Sequence, residues 1–459
     1  MANPENERRS RSSAKVYDSL FVRHWDRWVG RDRNALWYGR LQRAAAASSS
    51  SEAGGGEFRL AGTGGGGLTN ALAGTDLVSP VPPFGGTGDF DIGPYGLVFV
   101  ARDPGCRPAA AYTKSDLYYV PLETFAEDPA PAPRRVETPG LEGYSASPTF
   151  SHCGRKVAFT RMRSRQYESD KPRLVLLRDV NAERLVAEEF YPSEDGEGMW
   201  DARPDGVLWG RDDKTVFVTA GEKGCEKVWK VPADLEEAKK TLPVPLTGEG
   251  GSIRAMAVLD DGETEKGGSG LLLVSGSSLV DSSFYSILDP ETFGRQVVVS
   301  SASKDGRAFG LSRAQVGSVW FPGAGAYDVH ALVVKPSGFD EKKKYPLALF
   351  IHGGPQGAWM DAWSTRWNPA VFAEQGYVVV CPNPTGSFGY GTELTDGITE
   401  EWGGRPYNDL INCFEYIADH MPYVDTDRAV ALGASYGGYM ISEFGIPPFQ
   451  CCGEGADDV

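Results

Sequence analysis

Apolar and polar positions along the chain follow two grammars, and the change comes near Val319. Before it, "DFDIGPYGLVFVARDP" from Asp89, "SPTFSHCGRKVAFTRMR" from Ser147 and "GVLWGRDDKTVFVTAGE" from Gly206 each read as an alternating segment, a polar turn and a strand of the form xVxFxx. A second strand follows each: "SDLYYVPL", "PRLVLLRD" and "EKVWKVP". Recurrence of such a multi-strand unit predicts β-propeller blades, each burying a face against its neighbour. "LLLVSGSSLVDSSFYSILDP" from Leu271 fits more loosely, and "YDSLFVRHWDRWVGRDRNALWYGRL" from Tyr17 reads as the closing part of another blade. The expectation is an incomplete propeller of about five blade-like units over residues 17–317; a plain antiparallel sandwich is the alternative. After Val319, "HALVVKP", "YPLALFIHGG", "GYVVVCPNP" and "RAVALGAS" are short continuous apolar runs, the pattern of strands buried on both faces of a parallel sheet. The segments between them, "TRWNPAVFAEQ" and "YNDLINCFEYIADHM", suit helices, so this part reads as α/β.

Length and composition agree with two domains. A chain of 459 residues is long enough for two cores, and its 57 glycines and 31 prolines favour many turns and short strands. The formal charge of -16 argues against a phosphate-binding surface, so no nucleic-acid partner is expected. Seven cysteines at scattered positions show neither zinc-ligand spacing nor the density of a disulfide scaffold, and no cofactor or metal is predicted. The Cys451–Cys452 pair reads as incidental. The charged start has no apolar run of signal-peptide length and no later window reaches membrane-span length, so a soluble chain without a signal peptide is expected, with its compartment open. The only candidate glycosylation triplet, at Asn383, is blocked by Pro384. Residues 1–16 and an insert at 44–70, whose core is "AAAASSSSEAGGGEFRLAGTGGGG", have little to bury and read as disordered. "AEDPAPAPRRVETPG" from Ala126 reads as a stiffer Pro-rich connector.

The candidate chemistry lies near the end of the sequence. "RAVALGASYGGYM" places an apolar strand before Gly433, then Ser435, then Gly437 and Gly438. A strand-to-helix turn of the G-x-S-x-G type needs small residues around the serine and lifts its Oγ to the top of the sheet. Ser435 is therefore the candidate nucleophile. In "FIHGGPQGAW", Phe350 to Trp359, a Gly-Gly turn after a strand can aim a backbone N–H at an acyl oxygen, and the residue after the nucleophile can supply a second. Gly354 and Tyr436 are the candidate oxyanion donors, with Gly353 the second candidate for the first position. "NPTGSFGYG" from Asn383 lacks Walker spacing and lysine and reads as a structural or substrate-lining loop. "EWGGRPYNDL" from Glu401 reads as a turn opening a helix, with Trp402 packed.

With these motifs in this order, the sequence resembles the prolyl oligopeptidase family of serine peptidases, most of all its acylaminoacyl-peptidase branch and the fungal dipeptidyl-peptidase V group. The likeness runs from about Tyr17 to Tyr439 or Met440, outside the low-complexity inserts. It implies a β-propeller (incomplete, about five blade-like units) followed by an α/β-hydrolase domain over 318–440, cut just after the nucleophile elbow, with an atypical tail at 441–459. It also implies hydrolysis of short peptides through an acyl-enzyme on Ser435, with Tyr436 and Gly354 on the oxyanion. The family's aspartate and histidine follow the serine far downstream. Here His24, His152, His330, His352 and His420 all precede it, so the acid and the histidine are expected to be absent from the chain and the protein to be a fragment or inactive as written. His352 reads as a structural hydrogen bonder, His24 and His330 as packing residues, and His420 as the end of a surface helix. Gly445, Pro447 and Pro448 should stop the helix after the serine early. A non-catalytic peptide-binding pseudoenzyme and a serine esterase on the same fold are the alternatives. Short peptides are the expected partners, and oligomeric state is not legible. Complete relatives of the dipeptidyl-peptidase V group are often secreted.

Overall fold

A computed structural model describes residues 23–24, 27–28, 32–43, 58–61, 67–105, 109–259, 268–300 and 302–444. Residues 1–16, Pro447, Pro448 and the Cys451–Cys452 pair lie outside them. The chain divides into two compact units, Met1–Gly198 with Ala233–Lys240, and Met199–Pro232 with Thr241–Val459.

In the first unit, β1 (Phe90–Gly93), β2 (Gly96–Ala101), β3 (Asp116–Pro121) and β4 (Arg134–Arg135) form one antiparallel sheet in chain order. A second follows from β5 (Ser145–Phe150), β6 (Val157–Arg161), β7 (Arg173–Leu177) and β8 (Ala187–Glu189). The predicted strands "GLVFVA" and "KVAFTR" are thus second strands of their sheets. Their period-two alternation divides two cores: Val98 and Val100 pack with Val157 and Phe159, while Leu97, Phe99 and Ala101 pack with Leu36 and Tyr38. Both faces of β2 are buried, which explains its unbroken apolar run.

Two segments differ from expectation. Within the insert read as disordered, Phe58–Ala61 pairs with Arg40–Arg43, because Phe58 and Leu60 restore a strand-like alternation inside the small-residue run. Within the Pro-rich connector, Arg134 and Arg135 pair with Tyr119 and Tyr118 and Val136 enters the core, so its end closes a sheet.

The second unit contains two further four-stranded antiparallel sheets. One is β9 (Pro204–Trp209), β10 (Thr215–Glu222), β11 (Cys225–Pro232) and β12 (Val244–Pro245); the other is β13 (Ser252–Val258), β14 (Leu272–Ser277), β15 (Phe284–Asp289) and β16 (Gly294–Ser300). Phe217, Val228, Ile253, Val274 and Phe284 form one core between them.

The remaining sheet comprises β17 (Val316–Pro322), β18 (Asp328–Val334), β19 (Tyr345–Ile351), β20 (Val378–Asn383) and β21 (Val424–Gly433), in the order β17-β18-β20-β19-β21. Pairs β19–β20 and β19–β21 are parallel, but β17–β18 and β18–β20 are antiparallel, so the sheet is mixed where the apolar runs predict a parallel one. Burial on both faces, not parallel pairing, is what those runs report. Val329, Leu349 and Val380 face one core and Leu332, Phe350 and Val379 the other. Helix α1 (Pro369–Ala373) begins on an Asn368 cap. Helices α2 (Thr392–Asp396), α3 (Arg405–His420) and α4 (Tyr436–Phe444) follow. Leu410, Cys413 and Ile417 of α3 enter the first core at helical spacing. β21 is an edge among the described strands, and Val430 on it is 43% exposed, so this run is less buried than its composition predicts. Among the described residues no helix is long and apolar enough to cross a membrane.

Candidate functional site

The parallel register of β19 and β21 sets Ile351 beside Gly433, so the two strands end together and their loops meet. Beyond Gly433, only Ala434 and Ser435 separate the strand from α4. Ser435 is exposed and has φ of +58°, the left-handed region that a serine rarely adopts. The turn survives because its neighbours are small. A β-carbon on Gly433 would lie 2.7 Å from the Gly437 carbonyl and 2.8 Å from the Ile351 oxygen, and one on Gly437 would collide with the Ile351 oxygen. The Gly437 N–H donates to Ala434 O at 3.0 Å and the Tyr439 N–H to Ser435 O at 3.1 Å, tying serine to helix.

The Gly-Gly turn lies against this elbow. A β-carbon on Gly353 would stand 3.5 Å from Ser435 Cβ and 3.0 Å from Ala434 O. Gly354 has φ of +136°, and a β-carbon there would meet Gln356 within its own turn. The two glycines therefore have separate duties: Gly353 permits close approach to the elbow, and Gly354 permits the bend. Pro355 has no N–H. Among the described residues, no protein group accepts from the N–H of Gly353, Gly354 or Tyr436. Tyr436 opens α4, where the first N–H groups of a helix lack internal partners. Its buried ring is anchored by a 2.7 Å hydrogen bond from its hydroxyl to Trp402 O, and burial, reinforced by Tyr439 and Asp409, holds the phenol well above its ordinary value. Trp402, expected to be packed, is 53% exposed, with its ring edge-on to Tyr436.

Three histidines are engaged by groups other than the serine. His352 is buried, with Nδ1 2.8 Å from Gly353 O and Nε2 2.9 Å from Ser387 Oγ. Burial lowers its pKa, more than the Gly353 carbonyl raises it, and that carbonyl, which can only accept, takes the Nδ1 proton. His330 Nδ1 lies 2.7 Å from the Tyr390 hydroxyl, which itself accepts from Asn383 Nδ2 at 2.7 Å. His330 and Tyr390 are thus joined by a hydrogen bond, and burial holds that imidazole down to about 4. His420 ends α3, exposed and stacked on Tyr416. His152 is exposed in the first unit, and the side chain of His24 lies outside the described residues.

Sequence reasoning missed what supports this site. Asp409 on α3 is fully buried, and its carboxylate accepts from the N–H groups of Ala324 at 2.7 Å and Thr385 at 2.8 Å, and from Thr385 Oγ1 at 2.6 Å. It thereby fixes the start of the "NPTGSFGYG" loop, whose Ser387 in turn holds His352. Asp361, six residues past Pro355, receives Arg313 through both oxygens, at 3.0 and 2.8 Å, and the Leu279 N–H at 2.8 Å. The only signal for either was a lone acid inside an apolar motif.

Comparison with known proteins adds four findings. The prolyl oligopeptidase family model matches residues 363–444, beyond Met440, where the family likeness had been expected to end. Dipeptidyl-peptidase 5 of Trichophyton schoenleinii is 38% identical over 436 residues, 94% of this chain and 55% of that protein. Dipeptidyl-peptidase 5 of Aspergillus fumigatus is 40% identical over 442 residues, 94% of this chain and 56% of that protein. The chain thus spans about half the length of the curated relatives it matches. An acylaminoacyl peptidase solved with Z-Gly-Gly-Phe-chloromethyl ketone superposes with a TM-score of 0.58 at 17% identity, over 78% of this chain and 49% of its own. At that identity the likeness shows the fold alone: propeller-type sheets with an α/β-hydrolase sheet.

Proposed function

This chain belongs to the prolyl oligopeptidase family, and from that premise we propose that it carries the nucleophile and oxyanion donors of a serine peptidase acting on short peptides, dipeptidyl substrates first. The observation that carries this reading is Ser435 at positive φ between β21 and α4, with Gly353 packed against it. Ser435 Oγ attacks the peptide carbonyl, and the amine leaves as an acyl-enzyme forms. The N–H of Tyr436, with that of Gly354 or Gly353, takes the charge on the tetrahedral oxygen. Attack requires a base to receive the serine proton, and His330, His352 and His420 are each committed elsewhere. We therefore assign the role of base to none of these three histidines. The dipeptidyl preference rests on the 38–40% identity to dipeptidyl-peptidase 5 proteins.

The test is covalent. The protein purified from its natural source is treated with a dipeptidyl diphenyl phosphonate, digested and sequenced by mass spectrometry. A phosphonate adduct on Ser435 is expected. An adduct on another serine, or none, would overturn the reading.

A further inference from the structure

The second compact unit contains a cavity of about 540 Å³, within the usual range for small-ligand sites, and every residue lining it belongs to that unit. Ser435, Gly353 and Gly354 do not line it. Its walls are aromatic. Trp200 meets Trp229 edge-on at 5.6 Å, Trp320 meets Tyr390 edge-on at 6.0 Å, and Tyr327 completes the lining. The tyrosine hydroxyls are already bonded, Tyr327 to Thr385 at 2.6 Å and Tyr390 to His330 and Asn383, so their rings are what a guest can use.

The charges at this cavity fall into two groups. Glu222 is bound to Lys227 at 2.6 Å, and Asp201 receives the Thr392 N–H at 3.1 Å. Lys223, Asp328, Glu393 and Arg405 also line the cavity, are exposed, and form no ion pair or side-chain hydrogen bond with another described residue. Two cations and two carboxylates thus stand open around an aromatic enclosure. A lipid would leave all four unused, and a phosphorylated ligand would meet both carboxylates. A guest with a flat or bulky apolar body, an ammonium at one end and a carboxylate at the other uses every element, the ammonium gaining further from the rings.

We propose that this cavity binds a short zwitterionic peptide with an aromatic or large aliphatic side chain, at a site separate from Ser435. The site stands apart from the peptidase reading, since its chemistry needs no nucleophile. Its guest would touch the loop after β20: Gly389 and Tyr390 line the cavity, while Ser387 of the same loop holds His352 beside Gly353.

The test is calorimetric titration of the 459-residue chain with Ala-Phe and with its N-acetyl, C-amide form, supported by tryptophan fluorescence. Ala-Phe should bind saturably and the capped form at least about tenfold more weakly, the scale of one lost charged hydrogen bond. Arg405→Ala and Glu393→Gln, both at exposed side chains, should each weaken Ala-Phe by a similar factor, Trp320→Ala should weaken both forms, and Ser435→Ala should change nothing. No saturable binding, equal affinity for the capped form, indifference to the Arg405 and Glu393 changes, or loss of binding in Ser435→Ala would each overturn the proposal. Because Ser435→Ala must still bind, failure here is distinguishable from failure of the peptidase assignment.

Discussion

At Ser435 a backbone conformation that costs about 1–3 kcal/mol in a non-glycine residue is held in place by what its neighbours lack. Gly433 and Gly437 have no β-carbon to strike the Ile351 carbonyl, and Gly353 has none to strike Ala434. This part of the site was legible in the sequence, because a tight turn writes its need for small residues into adjacent positions. His330 was less legible: its packing role followed from its place in an apolar strand, whereas its bond to Tyr390, 60 residues away, did not. The burial of its ring makes a pH prediction. The folded state holds His330 at about 4, below its ordinary 6.5, so between those values the unfolded chain takes up a proton that the native ring refuses. Stability from this group is intact above about pH 6.5 and falls as pH drops toward 4, by on the order of 3 kcal/mol in all. Urea unfolding of wild type and His330→Gln between pH 7.5 and 4.5 checks it: the wild type should lose more stability over the interval, and parallel losses would contradict the assignment.

Among the elements, α3 and the loop after β20 depend on one another through Asp409. Its buried carboxylate accepts the Ala324 and Thr385 N–H groups and the Thr385 hydroxyl, and the Tyr327 hydroxyl stands 3.2 Å from it. Asp409→Asn would replace an acceptor oxygen by an NH₂ facing a backbone N–H, so both the lost bond and the stranded donor count. The expected cost is about 2–4 kcal/mol, read as a lower urea midpoint at unchanged m-value. A change below about 0.5 kcal/mol would show that the carboxylate does not hold the loop. Strand identity was read well from the apolar pattern, since β2, β6 and β10 fall on the xVxFxx strands and β18, β19 and β20 on the continuous apolar runs. Strand direction was not, because a run buried on both faces looks alike in parallel and antiparallel pairing. The Phe58–Ala61 strand was lost in its small-residue surroundings, where two apolar residues carry the entire pattern.

For the whole molecule, the succession of four-stranded antiparallel sheets and a mixed α/β sheet agrees with the fold of the acylaminoacyl peptidase, and about half the length of the dipeptidyl-peptidase 5 relatives is represented. The order of motifs made that family readable before any coordinates. The aromatic cavity was not readable, since Trp200, Trp320, Glu393 and Arg405 are brought together only by the packing of the second unit. The central claim, that Ser435 is a peptidase nucleophile, is tested most directly by release of chromophore from a dipeptidyl p-nitroanilide, comparing wild type with Ser435→Ala, both produced in the native host. Wild-type turnover that falls by a factor on the order of 10⁴–10⁶ in the variant is the expected result. Equal turnover in the two, or none from the wild type, would contradict it.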